Sequence, residues 1–233
     1  MKILGIRPLA IPDVKVIRYA RFSDERGYFT ETFRKSDFFG HAGLGKGDSP
    51  HLCEAPGGPS RQMGTVPFSE PIEFKQCNES RSRAGVVRGL HFQWNPFQGK
   101  LVRTIAGHML DLALDIRLGS PTFGRIIAYD MPASPDAAFG DWIWLPPGFA
   151  HGACMLEAST IEYFCTSEWS PGNETGISPL AADLDWSLCD PLLMALYYRT
   201  LETALLSPKD REGFTLAGWK KDGRSENFVY GKC

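Results

Sequence analysis

The sequence predicts an all-β sandwich or barrel, and three observations carry that expectation. Its 233 residues hold 24 Gly and 17 Pro beside 15 Phe, 6 Trp and 7 Tyr, a mixture suited to short strands joined by sharp turns. Runs rich in Val, Ile, Leu and aromatic residues recur at short intervals between the turn signals, the rhythm of many short strands rather than of a helical bundle. The clearest run alternates with period 2, Leu110, Leu112, Leu114 and Ile116 against Asp111, Ala113, Asp115 and Arg117, giving one apolar face and one charged face.

In chain order the predicted strands are 15–22, 27–33, 72–78, 85–93, 100–106, 109–117, 124–131, 141–146, 152–157 and 160–169. Gly107 interrupts two of these runs and marks a turn or bulge between them. Two segments break the rhythm. Residues 40–71 are crowded with Gly and Pro and read as one long loop, either a functional lid or arm or a tolerated surface insertion. Over 190–206, Asp190 is placed to cap a helix with Pro191 at its first position. Leu193, Leu196, Tyr197, Thr200, Leu201 and Ala204 then share a stripe at helical spacing, so an amphipathic helix lies on the barrel or on a neighbouring subunit. The tail from 214 resumes loop and short-strand composition. The whole, 1–233, reads as one domain.

With 25 basic and 27 acidic side chains the net charge is −2, which offers neither a basic field for nucleic acid nor a polybasic membrane footprint. Cys53, Cys77, Cys154, Cys165, Cys189 and Cys233 show no CxxC spacing, so they signal neither a zinc knuckle nor a disulfide framework. The N-terminus lacks a signal-peptide pattern, and no window approaches the roughly 18 apolar residues of a membrane span. A cytoplasmic location is expected.

Several residues could carry chemistry. If 76–82 (QCNESRS) is extended, Gln76, Asn78, Ser80 and Ser82 share one face, fit either for lining a wet cavity or for a solvated edge strand. His91 sits among strand-like apolar residues in RGLHFQ, followed by Lys100 and Arg103. A lone strand histidine is more often a satisfied core residue than a catalyst, and Tyr163 taken alone reads as a packed aromatic. His151 stands at a turn entering a strand. His91 has no HxH partner and no nearby downstream glutamate, which disfavours a metal-binding barrel. GxGxxG, GxxxxGK[ST] and GxSxG are absent, removing dinucleotide-binding, P-loop and hydrolase-elbow readings.

Taken together, the strings DERGYF (24–29) with Glu31, QCNESRS (76–82), RGLHFQ (88–93), QGKLVR (98–103), DLALDIR (111–117), SPTFG (120–124), LPPGFAHG (145–152) and LSPKD (206–210) resemble the dTDP-4-dehydrorhamnose 3,5-epimerase family, nucleotide-sugar epimerases of the cupin class. They cover most of the chain in the family's order. The resemblance implies a double-stranded β-helix, or jelly roll, normally a homodimer, with no metal or organic cofactor and a dTDP-linked keto-sugar as substrate. It implies His91 as general base, Asp210 as its orienting carboxylate, Lys100 as the cation beside the sugar ketone, and Tyr163 as general acid. Arg26, Phe29, Glu31, Gln76, Asn78, Arg88, Asp111 and His151 match positions that line or support the nucleotide-sugar site. Trp169 stands where many relatives have a second aromatic, usually Tyr. The long loop and the 190–206 helix are additions to the family's usual plan.

The residue types suit that chemistry. Inverting a carbon beside a ketone means removing its proton on one face and returning one on the other, through an enolate. Neutral imidazole, with an unperturbed pKa of about 6.5, is a suitable base, and a carboxylate on its far nitrogen fixes the tautomer. A cation at the ketone oxygen stabilises the enolate more than the ground state, and a neutral phenol can supply the returning proton. Guanidinium geometry matches a diphosphate, so Arg26, Arg88, Lys100 and Arg103 are expected to concentrate positive charge in the cavity. A catalytically silent sugar-nucleotide binder and a metal-dependent cupin oxygenase or isomerase are the competing readings.

Overall fold

The computed structural model of the protein describes residues 1–41 and 73–232. All but the first two positions of the Gly/Pro-rich stretch 40–71 therefore lie outside the described residues, and those two close a short helix. The chain opens with β1 (Ile3–Pro8) and β2 (Lys15–Ala20), then a small hairpin of β3 (Phe22–Asp24) and β4 (Gly27–Phe29), then α1 (Lys35–His41). Eight strands follow: β5 (Gln76–Ser82), β6 (Val87–Gln93), β7 (Lys100–Ala106), β8 (His108–Asp115), β9 (Ile126–Pro132), β10 (Phe139–Leu145), β11 (Phe149–Met155) and β12 (Ser159–Cys165). After β13 (Glu174–Gly176) come α2 (Pro191–Leu201), α3 (Pro208–Arg211), α4 (Leu216–Lys221) and a 3-10 turn, Gly223–Asn227.

Two antiparallel sheets form the barrel, one of six strands in the order β1-β2-β10-β7-β12-β5, the other of five in the order β13-β6-β11-β8-β9. The non-sequential order of sheets that share an interior is that of the double-stranded β-helix. At Gly107, between β7 and β8, φ is +83° and an added Cβ would lie 2.2 Å from the Ala158 carbonyl oxygen; the predicted turn demands glycine both conformationally and sterically.

Apolar side chains sort into three clusters. Inside the barrel, Val102, Ile143, Leu145 and Ile161 of the six-stranded sheet meet Met109, Ala113, Ile127, Ala153 and Met155 of the five-stranded one. Outside the five-stranded sheet, Leu110, Leu112 and Leu114 pack against Tyr197, Leu216, Trp219 and Phe228 of the C-terminal segment. Outside the six-stranded sheet, Leu101, Trp142 and Trp144 pack with Phe33, Phe38 and Phe74. In β8 the apolar face thus looks away from the barrel toward the helices, while Asp111 and Ala113 look inward. Both faces are buried.

Some expected boundaries move, each for a pairing reason. The polar string 76–82 is strand throughout, because β12 pairs with it from Ser82↔Ser159 to Gln76↔Cys165. Extended structure near 27–33 stops at Phe29; Phe33 folds onto the outer aromatic cluster against Phe38, Phe74 and Phe164. The tail is helical rather than strand-like. Its short helices begin at Ser207, Thr215 and Asp222, whose side chains accept the backbone N–H groups of Asp210, Gly218 and Arg224, and those cap residues are the signal the composition obscured. Helix α2 starts as expected, with Asp190 accepting the Leu192 N–H at 2.8 Å. It lies on its own barrel, burying Tyr197 and packing Leu193, Met194, Leu196 and Leu201 against the outer cluster. It ends at Leu201 because the following segment becomes extended, Leu205 exchanging backbone hydrogen bonds with Gly85 and Val87.

The SPTFG string is structural. Ser120 and Thr122 hydroxyls both donate to Asp115 Oδ2 at 2.6 Å, completing a buried network in which Asp115 also pairs with Arg117, which in turn reaches Asp13. No helix among the described residues is long and apolar enough to cross a membrane.

Candidate active site

A β-bulge builds the centre of the site. Strict alternation would send Arg88 and His91 to opposite faces of β6, three positions apart. Against β11, His91 pairs with His151 and Arg88 with Ala153, so β6 carries one extra residue there, and both side chains line the same cavity. Gly89 makes this possible: its φ is +105°, and an added Cβ would lie 2.6 Å from both the Gly152 Cα and the His151 carbonyl oxygen. Two glycines facing one another let the strands close at the bulge.

The cavity has a volume of about 480 Å³ and opens between the sheets. His91 and Asp210 meet in it, Nε2 to Oδ1 at 2.6 Å, with His91 partly exposed and Asp210 only 5% exposed. An Nε2 proton donated to Asp210 leaves the Nδ1 lone pair free. Burial tends to raise the Asp210 carboxyl, but the bonds from His91 and Ser207 outweigh it and hold the group below its ordinary value. Asp210 therefore stays ionised beside the imidazole. On β13, Gly176 is the register partner of His91, and a Cβ there would stand 2.9 Å from the imidazole Cδ2. Only glycine leaves the ring its place.

Lys100, Tyr163 and Ile161 line the cavity from the six-stranded sheet, facing His91, Arg88 and His151 from the five-stranded one. Burial pushes the Lys100 ammonium below its usual value, while Cys165, Glu174 and Asp111 pull the other way. When protonated, Lys100 can meet negative charge arising beside it from a half-buried position, where solvent screens less than at the surface. Burial pushes the Tyr163 phenol up, which keeps it protonated and able to donate. Among the described residues Arg88 pairs with no carboxylate, its Nη2 reaching only the Arg81 carbonyl at 3.4 Å. His151 lines the cavity above buried Asp111, bonded Nε2 to Oδ2 at 2.8 Å. A cavity with an oriented imidazole on one wall, a phenol and a half-buried ammonium on the other, and a guanidinium without a carboxylate partner at its edge can move a proton off one face of a carbon acid and onto the other. Among the described residues no group of three His, Cys, Asp or Glu side chains is arranged to hold a metal ion.

A profile described as dTDP-4-dehydrorhamnose 3,5-epimerase matches residues 62–218. The chain belongs to this family. A dTDP-4-dehydrorhamnose 3,5-epimerase of Pseudomonas aeruginosa is 34% identical over 212 residues, 90% of this chain and 94% of that protein. One from Neisseria gonorrhoeae is 36% identical over 220 residues, 94% of this chain, which spans only 54% of that relative's length. Among solved structures, a dTDP-6-deoxy-D-glucose-3,5-epimerase from Legionella pneumophila in complex with dTDP-4-keto-L-rhamnose superposes with a TM-score of 0.71 at 32% identity, covering 97% of both chains.

Within this family framework the expected residues fall into three groups. His91, Asp210, Lys100, Tyr163, Arg88 and His151 share the cavity, with Asp111 directly behind His151. Gln76, Asn78 and Trp169 are not among the cavity-lining residues but form a bonded group next to Tyr163, the register partner of Asn78: Gln76 Nε2 donates to Asn78 Oδ1 at 2.9 Å, and Gln76 Oε1 accepts the Trp169 N–H at 2.8 Å. Trp169 is 56% exposed. Arg26, Phe29 and Glu31 are not at this chain's cavity. Arg26 is paired with Asp24 on the exposed hairpin, Phe29 is 69% exposed, and Glu31 binds the N-terminal ammonium and Arg34. Arg103 also departs from expectation. One position out of phase with Lys100 and Val102, it lies on the outer face, paired with Glu162 at 2.7 Å and set over the Trp142 ring. Charge alone could not reveal which sheet face it would take. Sequence reasoning passed over Ser207, Leu205 and Leu206 as cavity-lining groups, because the expected helix was carried through 206 although it ends at Leu201, and Ser207 beyond it had no periodicity to place it.

Proposed function

We propose that the protein is a cofactor-independent epimerase of a dTDP-linked 4-keto-6-deoxy-hexose, inverting carbon 3, carbon 5 or both. The observation that carries this reading is the His91–Asp210 pair opposed across one cavity by Lys100 and Tyr163. His91 Nδ1 takes the proton from the carbon beside the ketone. The C–H electron pair becomes the C=C bond of the enolate, and the ketone oxygen takes the negative charge beside Lys100. Reprotonation by the Tyr163 hydroxyl on the opposite face restores the ketone with inverted configuration, and solvent then returns a proton to Tyr163 and removes one from His91. Arg88 binds the diphosphate, and His151, held by Asp111, lines the sugar site. Gln76, Asn78 and Trp169 meet the nucleotide end, where the Trp169 indole can stack on a base but offers no hydroxyl.

The same reading takes the working form as a homodimer. Arg26, Phe29 and Glu31 lie away from their own chain's cavity, and the hairpin exposes Phe22, Tyr28 and Phe29 at 53, 46 and 69%, an apolar patch suited to a second copy. In such a dimer the hairpin would serve the partner's nucleotide site. We take 1–233 as one domain on the support of the shared clusters, and a cytoplasmic location on the support of the free thiols Cys77, Cys154, Cys165 and Cys189.

Incubation with dTDP-4-keto-6-deoxyglucose in deuterated water tests the function. Deuterium at carbons 3 and 5 is the outcome for double inversion, and deuterium at one carbon is that for a single-centre enzyme. Tight binding without any exchange would replace the epimerase by a silent sugar-nucleotide binder.

A further inference from the structure

Asp210 can orient His91 only if the carboxylate is itself held. Its two oxygens are restrained unequally. Oδ1 takes the His91 Nε2–H at 2.6 Å and lies 3.4 Å from the Gly89 N–H. Among the described residues, Oδ2 has a single donor, the Ser207 hydroxyl at 2.8 Å. That hydroxyl also accepts the Asp210 backbone N–H at 3.1 Å, so one oxygen uses both its donor and an acceptor site to clamp the same residue at both ends. Ser207 is well anchored in turn. Leu205, two residues before it, is bonded through its backbone to Gly85 and Val87 at 2.9 and 3.2 Å, the Ser207 carbonyl accepts the Arg211 N–H at 3.0 Å, and Lys209 is ion-paired with Glu174.

We propose that Ser207 is a positioning residue of the epimerase, holding Asp210 in the one rotamer that presents Oδ1 to His91. The inference rests on the proposed function above and goes beyond it, since Ser207 meets neither the reacting carbon nor the ketone. Without the Oδ2 bond the carboxylate can turn about its Cβ–Cγ axis and the short bond to His91 loses its alignment. The titratable and charged groups around this pair are His91 and Arg88 on β6, Lys100 on β7, His151 on β11, Tyr163 on β12, Glu174 on β13 and Lys209 on α3, and among the described residues none of them bonds Oδ2.

The test compares Ser207→Ala, Ser207→Thr and His91→Ala in steady-state turnover and solvent-deuterium exchange with dTDP-4-keto-6-deoxyglucose. Ser207→Ala is expected to lower kcat about tenfold, as the loss of a hydrogen bond to a charged group does, with KM unchanged. The acid limb of its kcat/KM profile moves to lower pH, because a carboxylate turned out of line with Nε2 stabilises the imidazolium less. Ser207→Thr, which keeps the hydroxyl, restores both. If Ser207→Ala does not fold, Ser207→Cys carries the same test, a thiol being a poor donor. Wild-type kcat with an unmoved acid limb overturns the proposal, as does a joint change of kcat and KM with that limb unmoved. Exchange persisting in His91→Ala would instead overturn the base assignment. Silence of His91→Ala beside a fully active Ser207→Ala would sink this inference alone.

Discussion

Replacing Asp210 by Asn changes little volume but reverses the chemistry of the pair. The carboxylate is 5% exposed and its Oδ1 stands 2.6 Å from His91 Nε2, so when His91 takes a proton the two opposite charges are separated by about 4 Å between centres. At an effective dielectric near 20 their attraction is about 4 kcal/mol, and its loss slows proton abstraction on the order of 10³-fold. An amide offers a second penalty: if its NH₂ turns to His91, Nε2 must become an acceptor, the ring proton moves to Nδ1, and the base has no lone pair left for substrate. Asp210→Asn is therefore expected to lower the exchange rate roughly 10³- to 10⁴-fold, while dTDP affinity stays near wild type. Exchange at carbon 3, followed by proton NMR in deuterated water, measures the first quantity and calorimetric titration the second. A loss of less than about tenfold would show that Asp210 neither charges nor orients the base, and the reasoning from the 2.6 Å contact fails.

Lys100→Met should raise the barrier by roughly 3–4 kcal/mol, the cost typical of removing a preformed enolate or oxyanion donor; undiminished turnover contradicts its place at the ketone. Gly176→Ala puts a methyl 2.9 Å from His91 Cδ2, so kcat is expected to fall about tenfold or more from the displaced base in a protein that still folds, and a wild-type kcat argues against a fixed ring position. Arg103→Ala removes an outer-face pair and a ring contact and is expected to cost about 1–2 kcal/mol of stability in denaturant melts with kcat/KM preserved. A lost activity would return Arg103 to the cavity. For pH, Asp210 has a folded value below its unfolded one, so its contribution to stability is complete above the ordinary carboxylate range and lost as pH falls through the folded value; Asp210→Asn should flatten the acid side of the stability curve, and an unchanged slope contradicts the assignment.

The legible part of this protein was whatever depends on local pattern. Period 2 in β8, the cap at Asp190 and the glycine at 107 each follow from local sterics or hydrogen bonding, and each appears where expected. The polar face of 76–82 was legible as a face; its pairing with β12 decided that it runs four residues further than the apolar run suggested. The short C-terminal helices went unread because each rests on a single capping side chain rather than on a repeating stripe. His91 could be named as a base only through the family resemblance, since an isolated strand histidine gives no sign of the carboxylate it will meet 119 positions later.

By itself, then, the sequence determined the all-β character, most strand positions to within a few residues, with β1 and β13 unread, and the residue types required for proton transfer beside a ketone, because these follow from neighbours along the chain. Only the tertiary structure decided which of those residues work together. One extra residue at Gly89 turns Arg88 and His91 to the same side, while strict alternation sends Lys100 inward and Arg103 out to Glu162. The α3 segment carries Asp210 to His91, and the hairpin keeps Arg26 and Phe29 away from their own cavity. The physical reason is that sheet register, bulges and long-range closure fix side-chain direction through contacts between strands distant in sequence, and a shift of one residue exchanges the two faces.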